Sequence, residues 1–485
     1  SYDLLRPSEQ RLFEELSIFR GGCTLALATS VCAHDDVAPD AILDLLASLV
    51  EKSLLAIHED GAEPRYVLAE SSLDYAREKL AARNRWNEMA HRHALAYVKL
   101  AEQLEDASYM THEARWRSTM EAESENWTAA LEWTLIQRGD VALGLHLTAA
   151  LRPFWSSVRF AEGRSWVRLA FERLEATTPP EIVARLEHAE AKIALRFSES
   201  QVALAVGRRA LEHFRALGDR RAIAALQEII GHGLTLIGRA AEAKPLFFEA
   251  LQTARELGCR ALVAELVESI ANAHSRMGEV AEARAAYAEA ETIFREVGDE
   301  LDAAICAGNL AEAEFHAGDP ATALHLAVNT LERYRFSPFA NVGLYETSAS
   351  ANIAAYLIAL DRFHEARTRV IEAVELAREQ GEGVVLAWAM QHMAAITALQ
   401  RDDGGEPVRV RHARAARLLG YVNARLTALG APRQFTEQQE YDRVLDALRQ
   451  TFDGGELAEL MADGSAMRED GACEEAFGVV PIRPG

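Results

Sequence analysis

Apolar residues recur every three or four positions along almost the whole chain, which is the spacing of the buried face of an α-helix. Alanine, leucine, glutamate and arginine dominate these stretches, and all four favour helical backbone. With 13 proline and 29 glycine residues among 485, the chain has few residues for tight turns. The pattern therefore predicts an all-α protein.

One short segment departs from this pattern. Leu54–Ile57 and Tyr66–Leu68 are apolar runs on either side of a polar turn around Asp60 and Gly61. Short apolar runs separated by a turn are typical of a β-hairpin, and we expect a short hairpin here.

Helices are predicted on the amino-terminal side of the hairpin. Ser8 is placed to cap a helix over residues 9–19, a second helix covers residues 25–31, and Pro39 opens a third. Three helices followed by a hairpin are a winged-helix arrangement, and we predict a small winged-helix domain for residues 1–82.

The charge of the third helix bears on whether this domain binds DNA. Between residues 40 and 55 the charged residues are Asp40, Asp44, Glu51 and Lys52. Recognition helices contact phosphates and base edges through arginine and lysine, and this helix offers a single lysine. We therefore expect a structural or regulatory winged helix, with no direct nucleic acid binding.

Helix-forming sequence continues through residues 83–182, which we predict to be a tryptophan-rich helical linker with the first helical hairpins. Six of the seven tryptophans lie there, namely Trp86, Trp116, Trp127, Trp133, Trp155 and Trp166. Because large aromatic side chains dominate the packing between long helices, we expect a core and not a stacking site for bases.

Beyond this segment the sequence repeats itself. Small residues stand 40 residues apart at Ala203, Ala243, Ala283 and Ala323, and Ala366 follows after a step of 43 residues. Each lies in the second helix of a predicted pair and lets that helix approach the first one closely. The first helices carry small residues of their own at Gly231, Ala271 and Ala311, and the turns between the helices contain Gly238, Gly278 and Gly318.

This pattern resembles tetratricopeptide repeats, in which small residues and an aromatic residue, here Phe247 or Tyr287, define a helical hairpin. The step is longer than the usual length of about 34 residues, so we expect longer helices. We predict an α-solenoid of tetratricopeptide-like helical hairpins, a right-handed superhelix, over residues 183–430. Residues 431–485 are predicted to be capping helices and a tail.

Composition narrows the range of partners. The chain has 74 acidic and 51 basic residues and a net charge of −23, which disfavours nucleic acid and anionic membranes. It has no run of about 20 uncharged residues of the kind a membrane helix needs, and its first residues lack a signal peptide pattern. We therefore expect a cytoplasmic location and no membrane partner. The five cysteines lack CxxC spacing, which argues against a zinc site.

Several motifs follow one another along the chain: SYDLLRPSEQRLFEELSIFRGGCTLALATSVC, LLASLVEKSLL, RYVLAESSLDYAREKL, MEAESENWTAALEW, LRPFWSSVRFAEGRSWV and ARLLGYVNARLTALG. Together they resemble the carboxy-terminal half of bacterial transcriptional regulators of the signal-transducing, MalT-like ATPase class, which are relatives of the apoptosome ATPases. The resemblance implies a winged helix followed by a sensor array, and an upstream nucleotide-binding domain that holds ATP or ADP and magnesium. Because the chain starts at Ser1 without methionine, we expect it to be a fragment of such a protein.

Signatures of catalysis are missing from the sequence. It contains no GxxxxGK[ST] phosphate loop and no HExxH zinc motif, and neither GxSxG nor GxGxxG occurs in the context that each requires. We therefore expect no enzyme activity, no metal site and no cofactor in this chain.

A ligand groove is predicted on the inner face of the repeats, from first-helix residues that point away from the partner helix. These are Arg185, His188, Lys192, Glu228, His232, Glu265, Glu268, Asn272, Arg276, Glu312, Phe315 and His316. The glutamates would form an acidic stretch suited to a peptide or a small cationic ligand, with Phe315 giving an apolar contact. A merely solvated acidic surface is the alternative.

Three functions remain open from the sequence. The first, which we favour, is the regulatory and signal-sensing half of an ATPase-coupled transcriptional regulator, with a peptide, protein or small-molecule inducer bound in the repeats. The second is a free-standing tetratricopeptide-like scaffold for protein–protein interaction. The third is an enzyme that uses the groove, which no motif supports.

Overall fold

The amino-terminal part folds as a winged helix. A computed structural model of the protein describes residues 2–34, 37–58, 63–110, 113–197, 199–335, 342–400, 406–431 and 433–477. Asp60 and Gly61, predicted to form the hairpin turn, lie outside these residues. The winged-helix elements are α1 (Pro7–Glu15), α2 (Leu25–Cys32), α3 (Ala41–Glu51), β1 (Leu55–His58), β2 (Arg65–Leu68) and α4 (Glu70–Ala82), with 3₁₀ turns at Tyr2–Leu4 and Leu16–Ile18.

The two strands form the predicted antiparallel hairpin, in which Leu55 pairs with Leu68 and His58 with Arg65. The first helix begins earlier than predicted. Pro7 occupies its first turn, where the fixed φ of proline and its missing N–H do no harm, so Ser8 lies inside the helix. The predicted capping role of Ser8 is therefore wrong.

The tryptophan-rich segment is helical as predicted. Its elements are α5 (Trp86–Met110), α6 (Glu113–Ala122), α7 (Ser124–Leu131), a π-helical turn (Glu132–Ile136), α8 (Val141–Ala150), α9 (Arg152–Ser157) and α10 (Phe160–Glu172). Trp127 and Trp155 are each 1% exposed, and their indole N–H groups donate to the backbone carbonyls of Met120 and Thr148 at 2.9 and 3.0 Å. These tryptophans are core residues, as expected.

Helical hairpins follow without interruption. The first helices of the pairs are α11 (Pro180–Arg196), α13 (Arg220–Leu236), α15 (Arg260–Arg276), α17 (Glu300–His316), α19 (Val342–Ala359) and α21 (Gly383–Leu399). The second helices are α12 (Ser200–Leu217), α14 (Ala240–Glu256), α16 (Val280–Glu296), α18 (Pro320–Arg335), α20 (Phe363–Gln380) and α22 (Val408–Leu429). Three more helices close the chain: α23 (Phe435–Arg449), α24 (Gly454–Ser465) and α25 (Glu469–Phe477).

The predicted steric basis of the hairpin is visible at Gly231 and Phe247. A Cβ atom added at Gly231 would lie 2.7 Å from Cζ of Phe247, so only glycine lets α13 and α14 pack this closely. The repeated alanines, Ala203, Ala243, Ala283 and Ala323, are all fully buried. Gly238, in the turn between these helices, has a φ of 79°, the left-handed backbone that favours glycine. The prediction of tetratricopeptide-like hairpins is confirmed.

The chain forms two compact units, residues 1–269 and 270–485. The first contains the winged helix, the tryptophan-rich helices and the first hairpins, and the second contains the later hairpins and the closing helices. The predicted domain limits and the handedness of a superhelix stay predictions. Among the described residues, every helix is too short or too polar to span a lipid bilayer.

Candidate functional site

Three of the predicted groove residues of the first unit, Lys192, Glu228 and Glu265, are joined by ion pairs. Lys192 on α11 places its Nζ 3.2 Å from Oε2 of Glu228 on α13 and 2.8 Å from Oε2 of Glu265 on α15. Ser269 donates a hydrogen bond of 2.9 Å to the other oxygen of Glu228, and Nδ1 of His232 lies 3.6 Å from that oxygen. The carboxylates predicted to attract a cationic ligand therefore hold a lysine of the chain itself.

Burial makes this network a structural one. Glu228 is 3% exposed, and burial alone would raise the pKa of its carboxyl group. The charge of Lys192 and the hydrogen bonds of His232 and Ser269 outweigh burial and lower the pKa of Glu228. For Lys192, burial works against the charged form, yet Glu228 and Glu265 raise its pKa. Both groups are therefore charged at neutral pH.

Arg185 and His188 lie at the edge of the same unit, beside a cavity of about 350 Å³. Arg185 forms an ion pair with Glu105 of α5, and Nη1 of Arg185 lies 3.2 Å from Nε2 of His146. His188 is 3% exposed, and burial together with nearby arginine and lysine charges holds its pKa well below the usual range. This histidine is neutral and packs edge-on against Phe214 at 6.2 Å between ring centroids.

The remaining predicted residues of α15 differ in exposure and in what they contact. Glu268 is half-buried and Arg276 is exposed. Asn272 accepts a hydrogen bond of 2.6 Å from the hydroxyl of Tyr287 on α16, so its side chain connects the two helices of one hairpin.

In the second unit, Glu312 lines a cavity of about 240 Å³ between α17, α18, α19, α21 and α23. Phe315 and His316, predicted beside it, are not among the lining residues, although Nε2 of His316 lies 3.6 Å from Oε1 of Glu312. Phe315 is 9% exposed and stacks on Tyr356 with ring centroids 4.8 Å apart, while His316 contacts the ring of Phe435 at 4.5 Å. Tyr356, whose ring contacts that of Phe315, is itself one of the lining residues of the cavity.

The helix that closes this cavity is α23, which packs against the first helices α17, α19 and α21. It is fastened by polar contacts with α21. Gln391 donates a 2.7 Å hydrogen bond to the backbone carbonyl of Glu437, and Nδ1 of His392 lies 3.0 Å from both carboxylate oxygens of Glu440. Burial lowers the pKa of His392, but the charges of Glu440 and Glu437 outweigh burial and raise it overall.

Among the residues that line the cavity, Glu437 combines a buried, unpartnered carboxyl oxygen with a raised pKa. Its side chain is 3% exposed, and its Oε2 atom has no hydrogen-bond partner among the described residues. Burial raises the pKa of Glu437 to about 7, with Glu312 and Glu440 adding to the rise and His392 opposing it. Trp388 also lines the cavity, and its Nε1 atom is likewise buried without a partner in the described part of the chain.

Glu437 and Trp388 were not among the residues predicted from sequence. Trp388 lies in the last hairpin and Glu437 in a helix predicted only as a cap. Their meeting depends on α23 folding against first helices that are distant in sequence, and no local pattern signals this.

The repeats match a known family model. The model, described as tetratricopeptide repeat, covers residues 262–335. These residues are tetratricopeptide repeats. A protein of Mycobacterium tuberculosis named "Putative HTH-type transcriptional regulator Rv0890c" is 32% identical to the chain over 260 residues, as is "Putative HTH-type transcriptional regulator Mb0914c" of Mycobacterium bovis. The alignment covers 52% of this chain and 29% of each relative, so the chain spans less than a third of their length.

A solved structure has the same fold over most of the chain. It is the Signal Transduction ATPase with Numerous Domains (STAND) protein with a tetratricopeptide repeat sensor from Pyrococcus horikoshii. The TM-score is 0.56 and the identity 15%, and the match covers 93% of this chain and 66% of that one. The resemblance to the winged-helix and repeat region of signal-transducing ATPase regulators is thereby confirmed in fold, and the relatives carry the name of transcriptional regulators.

Proposed function

We propose that this chain is the regulatory and signal-sensing half of an ATPase-coupled transcriptional regulator. The observation that carries the proposal is the continuous packing of the winged helix, the tryptophan-rich helices and the first repeats in one compact unit. A signal received by the first repeats can then reach the winged helix through the packing of this one unit. The order of these parts and the similarity to HTH-type regulators support it further.

A buried polar network joins the winged helix to the tryptophan-rich helices. Glu123, which is 2% exposed, forms an ion pair with Arg65 on strand β2 and accepts a 2.6 Å hydrogen bond from Tyr97 on α5. Asn126 on α7 donates to the same carboxylate at 2.8 Å and to the backbone carbonyl of Gly22 at 3.0 Å. A satisfied buried network of this kind fixes the orientation of the wing against the linker helices.

In this mechanism the inducer changes the population of two arrangements. A peptide, protein or small molecule held by the repeats stabilises the arrangement in which the winged helix releases an upstream nucleotide-binding domain. The inducer must bind one arrangement more tightly than the other, since only that difference in affinity shifts the equilibrium. ATP or ADP and magnesium belong to the upstream domain in this proposal, which places no catalytic step and no nucleic acid contact in the present chain. It acts in the cytoplasm.

Reading the gene immediately upstream of the codon for Ser1 tests the proposal. We expect an in-frame GxxxxGK[ST] phosphate loop about 250 residues before Ser1, a distance that one large ATPase domain fills. A start codon directly before Ser1 would overturn the proposal and favour the alternative, a free-standing scaffold for protein–protein interaction.

A further inference from the structure

The cavity of the second unit lies between five helices. Four of them, α17, α18, α19 and α21, belong to the repeats, and the fifth is α23, which packs against α17, α19 and α21. Because α23 is held by buried hydrogen bonds and by the His392–Glu440 pair, the cavity is preformed. Preformed concave sites with a few convergent polar groups are the usual form of small-ligand pockets.

Two polar groups in the wall of this cavity lack partners. They are Oε2 of Glu437 and Nε1 of Trp388, both buried from solvent. Buried polar atoms in folded proteins are almost always hydrogen-bonded, because an unpaired one costs about 1–3 kcal/mol. Both atoms belong to side chains that line one cavity, and a ligand that reaches them would supply an acceptor with a donor and a donor with an acceptor.

The charged residues that line the cavity favour a ligand of positive charge. Two carboxyl groups, Glu312 and Glu437, line the cavity, and its described lining residues include no lysine, arginine or histidine. The first unit offers a contrast, because there Glu228 and Glu265 enclose the charge of Lys192. A cation from outside the chain would have in the second unit the role that this lysine has in the first.

Four aromatic side chains also line the cavity, namely those of Tyr334, Tyr345, Tyr356 and Trp388. Aromatic faces attract an organic cation and also pack against an apolar body, which a hydrated metal ion does not offer. The volume of about 240 Å³ is below the range of about 300–1,000 Å³ typical of drug-sized ligands. The occupant is therefore about the size of one amino acid.

We propose that this cavity binds a primary ammonium group on an apolar body, with Glu437 and Glu312 as its acceptors and the Trp388 indole donating to an oxygen of the ligand. The ammonium belongs either to a free amine or to the amino terminus of a peptide, whose first carbonyl would accept from Trp388. This deepens the proposed function and rests on it only in assigning the bound amine as the inducer.

Calorimetric titration of the full chain with two probes, tyramine and the peptide amide Phe-Gly-NH₂, tests the proposal. Each is compared with a partner that lacks the ammonium charge, 4-ethylphenol for tyramine and N-acetyl-Phe-Gly-NH₂ for the peptide. At least one amine is expected to bind, about tenfold or more tighter than its neutral partner, because charged hydrogen bonds are the strong ones. Binding by tyramine alone identifies a free amine, and binding by the peptide alone identifies an amino terminus.

Variants connect the binding to the cavity. Glu437→Gln is expected to weaken binding about tenfold or more, while Glu459→Gln, the same change at an exposed position on α24, leaves it unchanged. Trp388→Phe keeps an aromatic ring and removes only the donor, so it gives a second test if Glu437→Gln fails to fold. Equal binding of amines and neutral partners, unchanged affinity in the cavity variants, or no binding of either amine up to about 1 mM would overturn the proposal. None of these results depends on the gene upstream of Ser1, so the ligand and the proposed function fail separately.

Discussion

Replacing Lys192 with methionine tests whether the predicted groove residues of the first unit are structural. Methionine fills a similar volume and removes the charge that Glu228 and Glu265 share. Glu228, at 3% exposed, would then be a buried carboxylate that has lost its lysine partner, with the imidazole of His232 3.6 Å away. We expect Lys192→Met to destabilise the first unit strongly.

The magnitude follows from the burial of each partner. Removing one member of a buried ion pair costs about 3–5 kcal/mol, because the other charge is left uncompensated. The side chain of Glu265 is 42% exposed, so its share is about 0–1 kcal/mol. Because His232 and Ser269 still contact Glu228, we expect a loss near the lower limit, about 3 kcal/mol. The double variant Lys192→Met/Glu228→Gln, which removes the stranded charge, should recover all but about 1 kcal/mol.

The dependence on pH gives a second signature with opposite signs. In the native chain the folded-state pKa of Glu228 is lowered, so its contribution to stability is present above the unfolded pKa and is lost as the pH falls. In Lys192→Met burial is no longer opposed by the lysine, and the pKa of Glu228 rises. The variant should therefore gain stability on acidification from pH 7 to pH 5, relative to the native chain.

Urea unfolding followed by tryptophan fluorescence measures these differences. Six of the seven tryptophans lie between residues 86 and 166, so the signal reports the first unit. A loss below about 1 kcal/mol in Lys192→Met, or a double variant as unstable as the single one, would refute the structural role of this network.

Other substitutions test the hairpin packing, the cavity and the wing. Gly231→Ala should lower the free energy of unfolding in urea by about 1–2 kcal/mol, because overlap with Phe247 outweighs the gain in helix propensity. Gly308→Ala, whose Cβ meets nothing closer than 3.5 Å, should raise that free energy by up to about 1 kcal/mol. Equal effects of the two substitutions would contradict the packing argument. The pKa of Glu437 is raised to about 7, so its stabilising contribution is present below the unfolded pKa and is lost as the pH rises through 7. Glu437→Gln should therefore be more stable than the native chain at pH 8 by up to about 3 kcal/mol and similar to it at pH 4, and parallel pH profiles of unfolding would count against the raised pKa. Glu123→Gln should lower the free energy of unfolding, measured by fluorescence, by about 3 kcal/mol, because Arg65 of the wing loses a buried counter-charge. A decrease within experimental error would show that the network does not fix the wing.

The repeats were predictable from sequence because the packing that defines them is local. Ala243 and Phe247 lie four residues apart on one face of a helix, and Gly231 lies on the helix just before. A steric requirement between neighbours in the chain leaves a periodic mark, and the 40-residue step is that mark. For the same reason the burial of the tryptophans and the hairpin of the winged helix followed from local pattern.

The groove was harder to predict, because knowing that a side chain lies on the inner face of the repeats does not tell which residues it contacts. Glu228 and Lys192 were correctly assigned to first helices, but their pairing across neighbouring hairpins depends on the three-dimensional packing of those hairpins. The cavity beside Glu312 depends on α23, whose sequence shows an ordinary amphipathic helix and no sign of where it docks. Glu437 therefore gave no signal before the fold was known.

We propose that the repeats and the winged helix together regulate a nucleotide-binding domain, and nucleotide release from the complete gene product tests this role most directly. We propose to measure the release of a fluorescent ADP analogue from the native protein and from Glu123→Gln, at a temperature where circular dichroism shows both to be folded. We predict bound nucleotide in both proteins and faster release from Glu123→Gln, because the wing is no longer fixed to the linker helices. Equal release rates, or a complete gene product that binds no nucleotide, would contradict the claim.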